Sequence, residues 1–221
     1  MPGSLPERPG KVPQALPLQA LSLEEALRRA QLKAQATLSP GRYRHVVRVV
    51  EMARRLAGHH ATDPRPVELA AWIHDLARER PPGELLRLAR QAGWEPDAAE
   101  RADPILLHGP VAAWEAAQEG LTHDPEVLEA VRWHTTARPG LGRTGCLLFL
   151  ADKLEPGRTY PGVEELRRLA FRDLDQAMAA VLDDLIRYCL DRGLWLPEAT
   201  VAARNQWLRR GAGTAGGDAK S

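Results

Sequence analysis

Residues 67–79 read VELAAWIHDLARE. Leu69, Ala70, Ile73, Leu76 and Ala77 recur at helical intervals, which predicts a buried helix over about 66–79. At its centre stand His74 and Asp75, side by side. A carboxylate without a partner is costly in a core, so this segment calls for positive charge nearby. Neighbours on a helix are separated by about 100°, which lets both side chains line one cavity.

The same period extends in both directions along the chain. Ser22 with Glu25 forms a capping-box pattern that opens a helix to about Leu38. Ser39-Pro40 supplies an N-cap and a first-turn proline for the next, which closes at Gly58. Further helices are expected over about 82–92, closing at Gly93, and 109–119, closing at Gly120. Asp124-Pro125 starts one to about Thr135, and another covers about 143–154. A long helical stretch over 162–192 has a break after Phe171, where Asp173 can cap a fresh start, and Pro197–Arg210 makes the last helix. No alternating run rich in Val, Ile and Thr interrupts them. The expected fold class is therefore all-α.

Composition bounds the rest. The 221 residues carry a formal net charge of +1, so no global field points to nucleic acid or an acidic membrane. No apolar run approaches spanning length, and residues 1–20 lack the basic start and apolar core of a signal peptide, so a cytoplasmic location is expected. Cys146 and Cys189 sit in apolar helical patterns, as buried thiols do. Of the 30 Lys and Arg residues only Lys11, Lys33, Lys153 and Lys220 are lysine, and Lys153 is the only one between 34 and 219. Residues 1–20, rich in proline, read as a flexible leader, 21–38 as an N-terminal helix, 39–210 as the main domain and 211–221 as a flexible tail.

Four more sites share the oddity of His74-Asp75. His45 lies on the valine side of YRHVVRVV, His108 ends PILLHG, His134 follows VLEAVRW, and Asp152 follows CLLFLA. His59, His60 and His123 flank a glycine or an Asp-Pro and read as surface. A lone core histidine is ordinarily a hydrogen-bonded structural residue. Five helices that each bring imidazole or carboxylate inward are better explained by a metal, which pairs the acids and accepts the ring lone pairs. Nitrogen and oxygen donors without thiolate suit iron, manganese or zinc.

The ordered set His…His-Asp…Asp in an all-α chain resembles the HD-domain phosphohydrolases. PILLHGPVAAWEA, EAVRWHTTA, FLADKLEPGRTYPGVEELR, RDLDQA and TVAARN narrow the resemblance to the bacterial YqeK branch, over roughly residues 39–208. That resemblance implies symmetrical hydrolysis of diadenosine tetraphosphate to two ADP, with iron foremost as the metal and manganese, cobalt or zinc as alternatives. It implies metal ligation by His45, His74, Asp75 and Asp152, with Asp75 also catalytic. His108 and His134 would hold a second metal or contact phosphate. Nucleotide contacts fall on Arg78, Thr135, Arg158 and the segment Thr200–Asn205 with Arg204.

Two positions depart from the family pattern. Arg78 stands where a lysine is usual, and Ala137 replaces the glycine of His-Thr-Thr-Gly, which predicts modest strain if that backbone has positive φ. Two rival readings keep part of this picture: an HD-type hydrolase of another nucleotide or an alarmone, and a non-catalytic helical binding module. The second calls for a damaged ligand set, and all six positions are intact. No membrane or nucleic-acid partner is expected, and a homodimer is left open.

Overall fold

Proline and side-chain caps set where the helices begin. In a computed structural model, residues 21–214 are described; the expected leader and the end of the expected tail lie outside them. The described residues form helices α1 (Leu23–Thr37), α2 (Pro40–His59), α3 (Pro64–Ile73), α4 (Pro82–Gln91), α5 (Ala98–Ala102), a 3-10 turn (Pro104–Leu107), α6 (His108–Gln118), α7 (Pro125–Trp133), α8 (Arg143–Leu154), α9 (Val163–Arg172), α10 (Leu174–Asp191) and α11 (Glu198–Thr214), with no strand among them. The all-α expectation holds.

Ser22, Ser39, Asp124 and Asp173 all accept from backbone N–H groups at their helix starts, as read from sequence. The capping box at Ser22 is only half made, because the Glu25 carboxylate turns to Arg28 and Arg29 instead. Asp173 separates α9 from α10, so the expected break is real. The helix expected over 66–79 ends at Ile73. Beyond it the N–H groups of Leu76, Arg78 and Arg80 reach back only three residues, to Ile73, Asp75 and Ala77, and the chain proceeds in tight turns. The short α5, which the apolar period does not reveal, is held by a reciprocal capping box between Asp97 and Glu100.

Helix α8 forms the axis of the core. Leu147, Leu148, Phe149 and Leu150 are consecutive and fully buried, so the helix is covered on every side. It packs against α2, α3, α7, α9 and α10. Truncating a leucine at such a position to Ala costs about 2–5 kcal/mol.

Two local features bring the polar residues to this axis. A Cβ at Gly109 would lie 2.9 Å from the carbonyl oxygens of Val131 and Arg132, so glycine lets α6 begin against the end of α7. After α7 the chain turns back at Ala137, whose φ of 57° is left-handed and whose N–H bonds the Trp133 carbonyl at 2.8 Å. The strain expected at this non-glycine position is therefore present.

Candidate metal centre

Four imidazoles and two carboxylates meet where helix ends converge. His45 comes from the second turn of α2, and His74 with Asp75 from the turn after α3. His108 opens α6, His134 follows α7, and Asp152 lies in the last turn of α8. All six are buried, His74 completely. Arg78, Thr135 and Arg158 stand around them half-buried.

The rings share an orientation. His74, His108 and His134 place Nδ1 on the carbonyl oxygens of Ala71, Ile105 and Val131, at 2.7, 2.5 and 2.7 Å. His45 places Nδ1 3.1 Å from Oε1 of Glu155. Carbonyl and carboxylate oxygens only accept, so each Nδ1 carries a proton, and in the neutral ring the lone pair is left on Nε2, facing inward. His45 Nε2 and His74 Nε2 are buried without a hydrogen-bond partner among the described residues. His45 Nε2 is nonetheless 3.1 Å from Asp152 Oδ1 and 3.6 Å from Asp75 Oδ2, close but not aligned for a hydrogen bond.

The electrostatics ask for a cation at the same place. Burial alone would push the His74 ring below the usual imidazole value, but Asp75 and Asp152 outweigh it and raise it. Burial pushes the Asp75 carboxyl up, yet His74 and His108 hold it well below the carboxylate range. Asp152 follows the same balance, with Lys153, His45, His74 and Arg158 opposing burial. Burial, aided by His108 and His74, keeps His134 neutral.

The donor set fits a divalent metal. Ligand atoms of His45, His74 and Asp152 lie within 4.8 Å of one another, as do those of His74, Asp75 and His134. Inward lone pairs that lack a donor, beside two ionised acids, are what such an ion satisfies. His108 Nε2 adds a contact of 2.9 Å to His134 Nε2 and one of 3.2 Å to Asp75 Oδ1.

Residues expected to touch substrate are placed less uniformly. The Arg78 side chain has no hydrogen bond or ion pair with any described residue, although its N–H bonds the Asp75 carbonyl. Arg158 donates to Asp152 Oδ1 at 2.9 Å. Thr135 and Thr200 line a cleft of about 190 Å3 with Asp103, Leu106, Tyr188 and Trp195. Arg204 pairs with Asp183 at 2.6 Å, and Asn205 is exposed; neither lines that cleft. A larger groove of about 590 Å3, by Met52, Arg55 and Phe171, shares no residue with the histidine cluster. His59 and His123 are exposed as expected, whereas His60 is half-buried and bonds the Ala170 carbonyl.

Three neighbours of the cluster were not singled out from sequence for a role there. Arg42 donates to Asp75 Oδ2 at 3.0 Å, Lys153 to Asp152 Oδ2 at 2.6 Å, and Glu155 receives His45. Their spacing offered the signal: Arg42 stands one helical turn before His45, and Glu155 one turn after Asp152.

Similarity to known proteins is extensive. The chain is 37% identical over 171 residues to a symmetrical bis(5'-nucleosyl)-tetraphosphatase of Halalkalibacterium halodurans, covering 77% of this chain and 91% of that one. It is 37% identical over 158 residues to the protein of the same name in Bacillus subtilis, covering 72% and 82%. A solved HD superfamily hydrolase from Clostridium acetobutylicum, described as involved in NAD metabolism, superposes with a TM-score of 0.79 at 31% identity, over 83% of this chain and 97% of that one. The model of the HD domain matches residues 42–157, the segment that runs from three residues before His45 to two after Glu155. With the histidines and aspartates converged inside that span, the chain belongs to the HD domain family.

Proposed function

We propose that this protein hydrolyses diadenosine tetraphosphate symmetrically, releasing two ADP, with a divalent metal held by His45, His74, Asp75 and Asp152. The observation that carries this is the converged His/Asp set in a chain 37% identical to symmetrical tetraphosphatases. Iron is the ion proposed, as the resemblance to the YqeK branch implies; imidazole and carboxylate without thiolate suit it and equally suit manganese, cobalt and zinc. Free, buried Cys146 and Cys189 accord with a reducing cytoplasm. Among the described residues no helix is long and apolar enough to cross a membrane.

When bound, the metal supplies Lewis acidity and lowers the pKa of water. The protein supplies orientation and charge. The oxygen of water bonds to one of the two inner phosphorus atoms, and the bond from that phosphorus to the central bridging oxygen breaks. One ADP departs with the bridging oxygen, the other is completed by the water oxygen, and the two protons of the water are shared between the new terminal phosphates and solvent. Asp75 orients the water and is a poor proton sink, since its carboxyl is held well below the carboxylate range. Arg42 donates to Asp75 Oδ2 and keeps that carboxylate in place.

Arg78, whose side chain has no hydrogen bond or ion pair among the described residues, meets the negative charge of the phosphates, joined by Arg158. Thr135 and Thr200 border the nucleoside side. Arg204, one turn beyond Thr200, and Asn205 complete substrate binding, with Arg204 exchanging Asp183 for phosphate. His108 and His134 are read as ligands of a second ion rather than donors to phosphate, because their ring protons are committed to carbonyls on the far side.

Chromatography of the products formed by metal-loaded protein tests the activity. ADP alone supports it; ATP with AMP excludes symmetrical cleavage, and inertness with iron, manganese and cobalt excludes the enzyme. Two metal equivalents per chain, falling to one in His108→Ala, support the second ion; one equivalent in both excludes it.

A further inference from the structure

Three of the four core imidazoles are held in one way and the fourth in another. His74, His108 and His134 each hand the Nδ1 proton to a carbonyl three residues back, in Ala71, Ile105 and Val131. His45 hands its proton to a carboxylate, that of Glu155. Glu155 is the C-cap residue of α8, three positions after Asp152, and is 2% exposed. The surroundings fix it. The Arg48 guanidinium bonds both of its oxygens, and the Gly157 N–H donates to Oε2. A Cβ at Gly157 would meet that guanidinium at 2.6 Å, so a side chain there would have to displace Arg48.

An ion pair that only tied α2 to α8 would have no need to end on a ring nitrogen. A buried carboxylate that receives an imidazole N–H fixes the tautomer and strengthens the opposite nitrogen as a donor. Carbonyl oxygens fix the tautomer equally well but carry no full charge.

We infer that Glu155 is a positioning residue for the metal, acting through His45 to present a stronger Nε2 donor than the other three rings offer. This rests on the assignment of His45 as a ligand.

The test is manganese(II) affinity, read from the free-ion spectrum, for full-length wild type, Glu155→Gln and Arg48→Met, with circular dichroism for the fold. Glu155→Gln keeps the shape and removes the charge, and should weaken binding by about 10–100-fold. Arg48→Met leaves the carboxylate to His45, with water reaching the place of a side chain that is 35% exposed, and should bind as tightly as wild type or more so. Unchanged affinity in Glu155→Gln overturns the inference, and so does an equal loss in both variants, which marks a purely structural ion pair. Wild type that takes up no manganese overturns the metal assignment along with it, whereas wild-type uptake matched by Glu155→Gln overturns the role of Glu155 alone.

Discussion

Replacing Ala137 by glycine tests whether the turn that aims His134 stores strain. The residue is fully buried and holds a φ of 57°. An L-residue in that region costs about 1–2 kcal/mol, which glycine would relieve. Against this stand the buried methyl, about 0.8 kcal/mol, and the larger backbone entropy of an unfolded glycine, about 0.4–1 kcal/mol. The terms nearly cancel, so Ala137→Gly should leave stability within about 1 kcal/mol of wild type. Ala130 is the control: it is equally buried, in α7 itself, with ordinary helical backbone. There the gain is absent and both losses apply, so Ala130→Gly should cost about 1–2 kcal/mol. Urea unfolding of the two variants measures the difference. Equal destabilisation by both would mean that Ala137 carries no strain, and that the reasoning about this turn is wrong.

Other consequences follow from single residues. Arg78→Ala removes a cation that has no side-chain partner among the described residues and should weaken substrate binding by about 1.5–3 kcal/mol with metal content unchanged, as KM and metal analysis would report; an unaltered KM excludes phosphate contact. The two hydrogen bonds from Ser39, one from its hydroxyl and one from its N–H, hold the Glu79 carboxyl below its usual value. A lowered folded pKa gives stability that is present above the unfolded pKa and lost as pH falls through the folded one. The stability gap between wild type and Glu79→Gln should therefore be full at neutral pH and vanish in acid; a gap independent of pH counts against the link between α2 and the turn after α3. Burial pushes the Cys146 thiol up to about 12, so it should resist iodoacetamide at pH 8 until urea unfolds the chain. Rapid labelling of native Cys146 would contradict its place in the core.

The sequence announced most helix starts because capping residues and first-turn prolines act locally. Ser39-Pro40, Asp124-Pro125 and Asp173 need only their own next few residues to work. The end of α3 was not legible in the same way. Leu76 and Ala77 continue the apolar period past His74, yet the backbone there tightens to three-residue turns. Periodicity reports which residues are buried, not which hydrogen-bond pattern buries them. Helix α5 was not read from the sequence: it is too short to show a period, and its one local signal is the Asp97 and Glu100 capping pair.

In the candidate site, the residues that read plainly were polar groups on apolar helices: His45, His74, Asp75, His108, His134 and Asp152. Arg42 and Glu155 were hidden because an arginine or a glutamate near a helix end looks like ordinary solvated surface. Only the fold turns them inward. Arg204 shows the converse: its motif points to nucleotide, while its side chain holds Asp183.

The central claim is that His74-Asp75 belongs to a metal centre that performs the hydrolysis, and Asp75→Asn tests it most directly. Asn keeps the volume and removes the charge that faces Arg42 and the imidazoles of His45, His74 and His108. Metal stoichiometry, circular dichroism and turnover of diadenosine tetraphosphate should be measured on that one variant. The account predicts loss of most bound metal and nearly all turnover, with helical content intact. A full complement of metal together with full activity would contradict it.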